Sequence, residues 1–194
     1  MPRARTTETA DRIRAAALEL IGEKGVQRVS LREIAERVGV TKPALYYHFP
    51  SREDLVRSLV QPLIDDVEAM LNAADPRASA RDLLGAYFDA TYRNRHITQM
   101  IVRDLSILAL VDLTGAVSSW RARLVELLVG KTPSLAQETR AWMAIGGMDD
   151  CTAGFKNTPR EALREAVLDA AEATLGARGR ETQRTPRTGG EADN

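Results

Sequence analysis

Lys42, Tyr46, Tyr47 and His48 lie within seven consecutive residues, flanked by Arg32 upstream and Arg52 downstream. Such a set offers cations, N–H and O–H donors and aromatic faces, which suits contact with phosphate oxygens and base edges rather than the making or breaking of covalent bonds. Catalytic alternatives find little support. His48 and His96 are the only histidines, and the HExxH, GxSxG and phosphate-loop patterns are absent. The single cysteine, Cys151, excludes an intramolecular disulfide and a multi-cysteine metal site. The expectation is therefore a non-enzymatic DNA-binding protein with no catalytic residues, no metal and no cofactor; an all-helical enzyme is the weaker competitor.

The stretch that must position these groups is residues 30–55, SLREIAERVGVTKPALYYHFPSREDL. Leu31, Ile34, Ala35 and Val38 recur at i, i+3, i+4 and i+7, one buried helix face, with Arg32, Glu33, Glu36 and Arg37 on the other. Ser30 with Glu33 reads as a capping box, and Gly39 supplies the positive φ of a C-terminal cap. Thr41 then caps a second helix over residues 42–49, which buries only Leu45 and Phe49 and turns its other side chains outward. Pro43 is tolerated in the first turn, where N–H groups are unpaired anyway. Ser51 with Asp54 opens a third helix. Two helices joined by so short a turn cross steeply, as in a helix-turn-helix.

The chain has 194 residues, with 27 Lys plus Arg against 27 Asp plus Glu. The first 60 residues hold 11 of those cations and 8 of the anions, so the basic excess falls on the proposed head; 23 of the 27 cations are arginine. The polar N-terminus, MPRARTTETADR, lacks the apolar core of a signal peptide, and no apolar run approaches the roughly 18 residues of a membrane span. A cytoplasmic protein with no membrane partner is expected.

Further along, the periodicity predicts an all-α fold of about nine helices. Residues 1–6 read as a short basic arm carrying Arg3 and Arg5, either solvated or reaching a groove, before a helix from Thr6 or Thr7 to Gly25. A longer helix from Arg52 to about Asn72 contains Pro62, which predicts a kink, or a break at Gln61 with a new start. Further helices are expected over about 79–95, 96–111, 115–128, 134–154 and 158–175. Asp104 interrupts an apolar stripe and so needs a partner. The run AWMAIGGM, residues 141–148, carries no polar side chain and should be covered all round. Residues 177–194 should be disordered.

Ile13, Ala16, Ala17, Leu20, Gly25, the stretch from Ser30 to Ile34, the turn Val38-Gly39-Val40-Thr41, the run Leu45-Tyr46-Tyr47-His48-Phe49 and Leu55 together resemble the N-terminal domain of the tetracycline-repressor (TetR) family. The resemblance spans about the first quarter to third of the chain. It implies a three-helix DNA-binding domain over residues 1–55, a helical effector-binding and dimerisation domain over 56–176 and a tail over 177–194. It also implies a homodimeric repressor, released from a palindromic double-stranded DNA operator by a small molecule. A DNA-binding regulator without such an effector is the alternative.

DNA-binding positions under this resemblance are Arg32, Thr41, Lys42, Pro43, Ala44, Tyr46, Tyr47, His48 and Arg52. Thr41 to Ala44 meet base edges or phosphate at the recognition-helix N-terminus; Tyr46, Tyr47, His48 and Arg52 hold the backbone. Candidate effector-lining residues are Phe88, Tyr92, Met100, Asp104, Trp120, Trp142 and Met143, each of which also reads as plain core. The last two helices, rich in small residues, give a candidate dimer interface of Ala141, Ala144, Gly147, Met148, Leu163, Ala166, Val167 and Ala170, by analogy with a four-helix bundle. A shift between two dimer shapes, carried through Pro62, would alter the spacing of the two heads.

Overall fold

The computed structural model describes residues 2–75 and 77–176, with side chains from Thr7 onward. Ten α-helices and one 3-10 turn make up the regular structure, with no strand among the described residues. They are α1 (Pro2–Lys24), a 3-10 turn (Val26–Arg28), α2 (Leu31–Val38), α3 (Lys42–His48), α4 (Arg52–Ala73) and α5 (Ala80–Arg93). After these come α6 (Arg95–Arg103), α7 (Ser106–Leu110), α8 (Thr114–Val129), α9 (Leu135–Gly154) and α10 (Arg160–Leu175). The tail over 177–194 lies outside the described residues. The backbone is already helical from Pro2, so the expected arm is the first turn of α1 instead.

The tenth helix comes from Asp104. The helix expected over 96–111 stops there, at φ −145° and ψ 87°. The Asp104 carboxylate accepts from the Ser106 backbone N–H at 3.1 Å and from its hydroxyl at 2.5 Å, so α7 starts afresh. An aspartate bonded two residues ahead competes with the helix ladder. What read as a polar intruder needing a partner is a turn-former, and its partner is Ser106.

In the head, α1 lies across α2 and the 3-10 turn. Ile13, Ala17 and Leu20 are sealed against Ile34, Ala35, Leu45 and Phe49. The Arg12 guanidinium donates to the Val38 carbonyl at 2.7 Å, meeting one of the carbonyls left free where α2 ends. Gly39 follows at φ 74°, a left-handed cap that L side chains adopt at a cost. Ser30 and Thr41 each accept an N–H three residues on, from Glu33 at 3.2 Å and Ala44 at 3.3 Å; such caps contribute about 1 kcal/mol each. The other half of the expected capping box does not form. The Glu33 carboxylate pairs with Lys24 at the end of α1, and that contact holds its pKa below the ordinary carboxylate range.

Beyond the head, α4 runs unbroken through Pro62, which rules out a new start there. The ring is tolerated because Pro62 faces outward, while Leu59, Leu63, Ile64 and Val67 face in. Helices α5 and α8 pack on α4, and α9 and α10 pack on α5 and on each other, around Tyr87, Phe88, Leu124, Ile145 and Leu168. Arg81 of α5 reaches Glu165, Asp169 and Glu172 of α10 at 2.7, 2.8 and 2.5 Å, bracing the outer layer. Helix α6 sits between head and body, touching α1 on one side and α9 on the other.

The pair α9 and α10 pack against each other, which corrects the expected interface. Ala141, Ala144, Met148, Leu163 and Val167 are consumed inside the chain; Gly147, Ala166 and Ala170 are exposed. Apolar periodicity marks the face a helix buries but not the neighbour that buries it. Nor is the run 141–148 covered all round within one chain, since Trp142 and Met143 are 39% and 64% exposed.

Candidate nucleic-acid interface and body cavity

The outward face of α3 is built as its sequence requires. Leu45 and Phe49 anchor it to the head core, leaving Thr41, Lys42, Pro43, Tyr46 and Tyr47 exposed and Ala44 and His48 half-buried. Pro43 stiffens the first turn, where it has no N–H to leave unpaired and Thr41 takes that of Ala44. The Lys42 ammonium lies 5.6 Å from the centre of the Tyr46 ring, and His48 packs edge-on against Tyr47 at 5.4 Å. These contacts pre-order long side chains that would otherwise lose rotamer freedom on binding.

Lys42 and Tyr46 share an open depression of about 530 Å³ with Arg28, Arg32, Ser51 and Arg52. Four cations on one concave surface favour a polyanion. Two of the expected contacts already have partners in the chain. Arg32 Nε pairs with Glu36 at 2.8 Å, and Arg52 donates to the Val26 carbonyl, pinning the 3-10 turn to the start of α4. Arg28, in the 3-10 turn, was missed; the signal available was a lone cation two residues before the cap Ser30.

The body holds a cavity of about 230 Å³ among α4, α5, α6, α8 and α9. Leu63, Ile101, Val102, Leu105, Leu108, Val117, Trp120 and Trp142 make it largely apolar. Tyr87, Arg121 and Asp149 also line it. The Tyr87 hydroxyl donates to Asp149 Oδ1 at 2.9 Å, and Arg121 Nη2 pairs with Asp149 Oδ2. Burial pushes the Asp149 carboxyl and the Tyr87 hydroxyl above their ordinary pKa values, the Arg121 charge opposing both shifts. The Arg121 guanidinium also lies 5.8 Å from the Trp142 ring. Two donors in this wall, Trp120 Nε1 and Arg121 Nε, are buried without a hydrogen-bond partner, a cost of about 1–3 kcal/mol for each such group.

Of the seven expected lining residues, Trp120 and Trp142 stand in this wall. Phe88 and Tyr92 stack on each other at 5.3 Å, with Phe88 fully buried in the core. Met100 faces α1 across a separate groove, Met143 is exposed, and Asp104 is the turn-former described above. The charged pair at the polar corner was missed. Asp149 follows Ala141, Ile145 and Met148 on the buried stripe of α9, so an acid on an apolar face was its legible signal. Arg121, on α8, is placed beside it only by the packing of the two helices.

Among the described residues, no group of three or more His, Cys, Asp and Glu side chains could hold a metal ion, and no helix is long and apolar enough to cross a membrane.

Comparison with known proteins agrees with this geometry. The chain is 34% identical over 79 residues to the HTH-type transcriptional activator FasR of Mycolicibacterium smegmatis, covering 38% of this chain and 36% of that one. It is 32% identical over 110 residues to the HTH-type transcriptional regulator TtgR of Pseudomonas putida, covering 50% and 52%. The chain thus spans about a third to a half of the length of these curated relatives. A solved transcriptional regulator from Aquifex aeolicus VF5, described as TerR/AcrR family, superposes with a TM-score of 0.68 at 21% identity, over 85% of this chain and 98% of that one; at that identity it shows the fold. Residues 13–59, which contain α2, α3 and the caps that join them, match the family described as bacterial regulatory proteins, tetR family.

Proposed function

We propose that the protein is a sequence-specific transcriptional regulator, a homodimeric repressor whose α3 enters the DNA major groove and whose body cavity receives a small-molecule effector. The observation that carries the reading is the exposed face of α3, where Lys42 and Tyr46 share one concavity with three arginines at the end of a helix-turn-helix. In this reading Thr41, Lys42, Pro43 and Ala44 meet base edges or nearby phosphate, while Tyr46, Tyr47, His48 and Arg52 hold the sugar-phosphate backbone. Arg32 contributes from α2 after exchanging Glu36 for a phosphate. Relatives include both a named activator and named repressors, so repression is the part of the proposal that rests on analogy.

Dimerisation is assigned to the outer faces of α9 and α10, not to the faces they share. Gly146 and Gly147 lie in mid-helix, where each costs about 1 kcal/mol relative to alanine, yet a Cβ at either would meet nothing within 4 Å in the single chain. Close approach of a second copy accounts for that cost. Met143, Ala166 and Ala170 lie exposed on the same two helices.

Effector and head are linked through α6. Thr98, Ile101 and Val102 line the cavity, while His96, Gln99, Met100 and Arg103 face the groove against α1. A displaced α6 would push on α1 directly, and Leu63 lets the same cavity act on α4 beside Pro62. The domain division that follows puts the head at residues 1–55 and the sensing, dimerising body at 56–176.

Enrichment of bound sequences from random duplex DNA tests the reading. A palindrome with half-sites about one helical turn apart is expected; recovery of no preferred sequence by a well-folded dimer would overturn it.

A further inference from the structure

We propose that the cleft between α1 and α6 binds a phosphate monoester that carries a small apolar group. The site lies outside the body cavity, and its occupancy does not depend on whether that cavity takes an effector.

Two open hollows make up the cleft. One, of about 390 Å³, lies between α1 and α6; the other, of about 270 Å³, continues past α6 to the end of α9, and His96, Gln99 and Lys156 line both. Arg103 stands in the first and Arg95 in the second. Against these cations Glu19 is the single lining carboxylate, and it already has Arg37 at 3.6 Å. Arg95, Arg103 and Lys156 form no ion pair among the described residues. Nearby arginines do: Arg93 meets Asp66 at 2.9 Å, and Arg160 meets Asp89 at 2.6 Å. Arg95 is held in place without being neutralised, its Nη1 donating to the Tyr92 hydroxyl at 3.0 Å and its guanidinium lying 5.2 Å from the Tyr92 ring centre.

Charge, apolar surface and rigidity restrict the occupant. Three cations against one carboxylate leave an excess of two, which a phosphate monoester, close to a dianion at neutral pH, matches and a single carboxylate does not. Arginine takes phosphate oxygens in pairs, lysine acts as a point charge, and a histidine ring adds an N–H donor. The α1 side is apolar, with Ala15, Leu18 and Gly22 lining the hollow together with Met100 of α6. These α1 residues occupy the helix face opposite Ile13, Ala17 and Leu20, which seal the head core. Gln99 Nε2 donates to the Ala153 carbonyl at 2.7 Å, fixing α6 to the end of α9. The cationic side is thereby assembled before a ligand arrives.

Calorimetric titration of the full-length protein with phenyl phosphate, benzoate, inorganic phosphate and benzyl alcohol tests the site. Phenyl phosphate should bind about fivefold or more tightly than any of the other three, since it alone brings both the dianion and the ring. In the double variant Arg103→Gln, Lys156→Gln its affinity should fall about tenfold or more through lost charge-assisted contacts. Both side chains are exposed, so the unfolding midpoint should not move. The two histidines report position, because His96 lines the cleft and His48 ends α3. Phenyl phosphate should shift the imidazole resonances of His96, assigned with His96→Gln, and leave those of His48 in place. Equal or tighter binding of benzoate or inorganic phosphate overturns the proposed class. No binding of phenyl phosphate, undiminished affinity in the double variant, or a shift confined to His48 overturns the site. Operator binding, measured by mobility shift without phenyl phosphate, should be the same for the double variant and the unsubstituted protein; a loss there would make the cleft a DNA-backbone contact instead. Failure of both proteins to bind any operator would refute the repressor reading and leave the calorimetric result standing.

Discussion

Tyr87 and Asp149 stand 62 positions apart in the chain, yet the Tyr87 hydroxyl donates to Asp149 Oδ1 across 2.9 Å of the buried interior, joining α5 to α9. Arg121 of α8 holds the second carboxylate oxygen. Three helices therefore converge on one carboxylate, and a buried charge held this way is costly to disturb from any side.

A pH signature follows from that burial. Desolvation raises the Asp149 carboxyl above its ordinary 3.8, against the pull of Arg121 and of the Tyr87 hydrogen bond, with Asp150 adding a smaller upward push. Between 3.8 and the raised value the folded state holds a proton that the unfolded state has lost, so this group's contribution to stability falls as pH rises through that window. Asp149→Asn should remove this component and cost about 1–3 kcal/mol at neutral pH through the weakened partner of Arg121. Urea unfolding of both proteins across the acid range measures it, and an unchanged slope in the variant would count against the assignment.

At the proposed DNA face, Lys42→Ala should relax sequence preference, because a cation at the N-terminus of α3 meets base edges; a lost bidentate contact amounts to about 1–3 kcal/mol of discrimination. Tyr46→Phe keeps the ring beside Lys42 and loses only the hydroxyl, so it should weaken matched and mismatched operators alike. Titrating both variants on both DNAs separates the roles. Unchanged affinity for both would remove α3 from the groove.

Stability of the head should depend on the turn between α2 and α3. Gly39 sits at φ 74°, and a β-branched residue there carries strain of about 1–2 kcal/mol. Gly39→Val should lower the unfolding midpoint and weaken DNA binding while leaving the body's tryptophan fluorescence in place. Equal stability of the two proteins would mean that the turn relaxes to another conformation.

Gly147→Leu examines the proposed subunit interface. In an isolated chain nothing lies within 4 Å of a Cβ at this position, so the substitution should leave the chain folded and raise local helix propensity. Against a close-packed second copy it should split the dimer. Light scattering after size-exclusion chromatography decides; a dimer that persists in the variant places the interface elsewhere.

Pro62→Ala restores a backbone N–H to the middle of α4, a change favourable to an isolated helix by up to about 3 kcal/mol. If α4 passes cavity occupancy to the head, the variant should bind operator with a blunted effector response. Should operator affinity and effector response both be intact, Pro62 is no hinge, and α6 alone must carry the coupling.

The amino-acid sequence by itself determined the helices and their ends. Ser30, Gly39, Thr41, Ser51, Ser79 and Ser134 act on backbone groups within a few residues, and each does what its chemistry requires. The exposed face of α3 was legible for the same reason: a short helix with Leu45 and Phe49 buried leaves only one way for the others to point. Where a residue had two partners to choose from, locality gave no answer. Glu33 left its capping role for Lys24, nine residues away, and Asp104 bonded to Ser106 to end a helix that periodicity would have continued. The partners of the buried faces and the cavity were decided by tertiary structure alone. Periodicity says that Ala141, Ala144 and Met148 are buried, but only the packing of α9 on α10 says by what. The polar corner of the cavity joins residues 28 and 62 positions apart, and nothing local to Tyr87, Arg121 or Asp149 records that the three will meet.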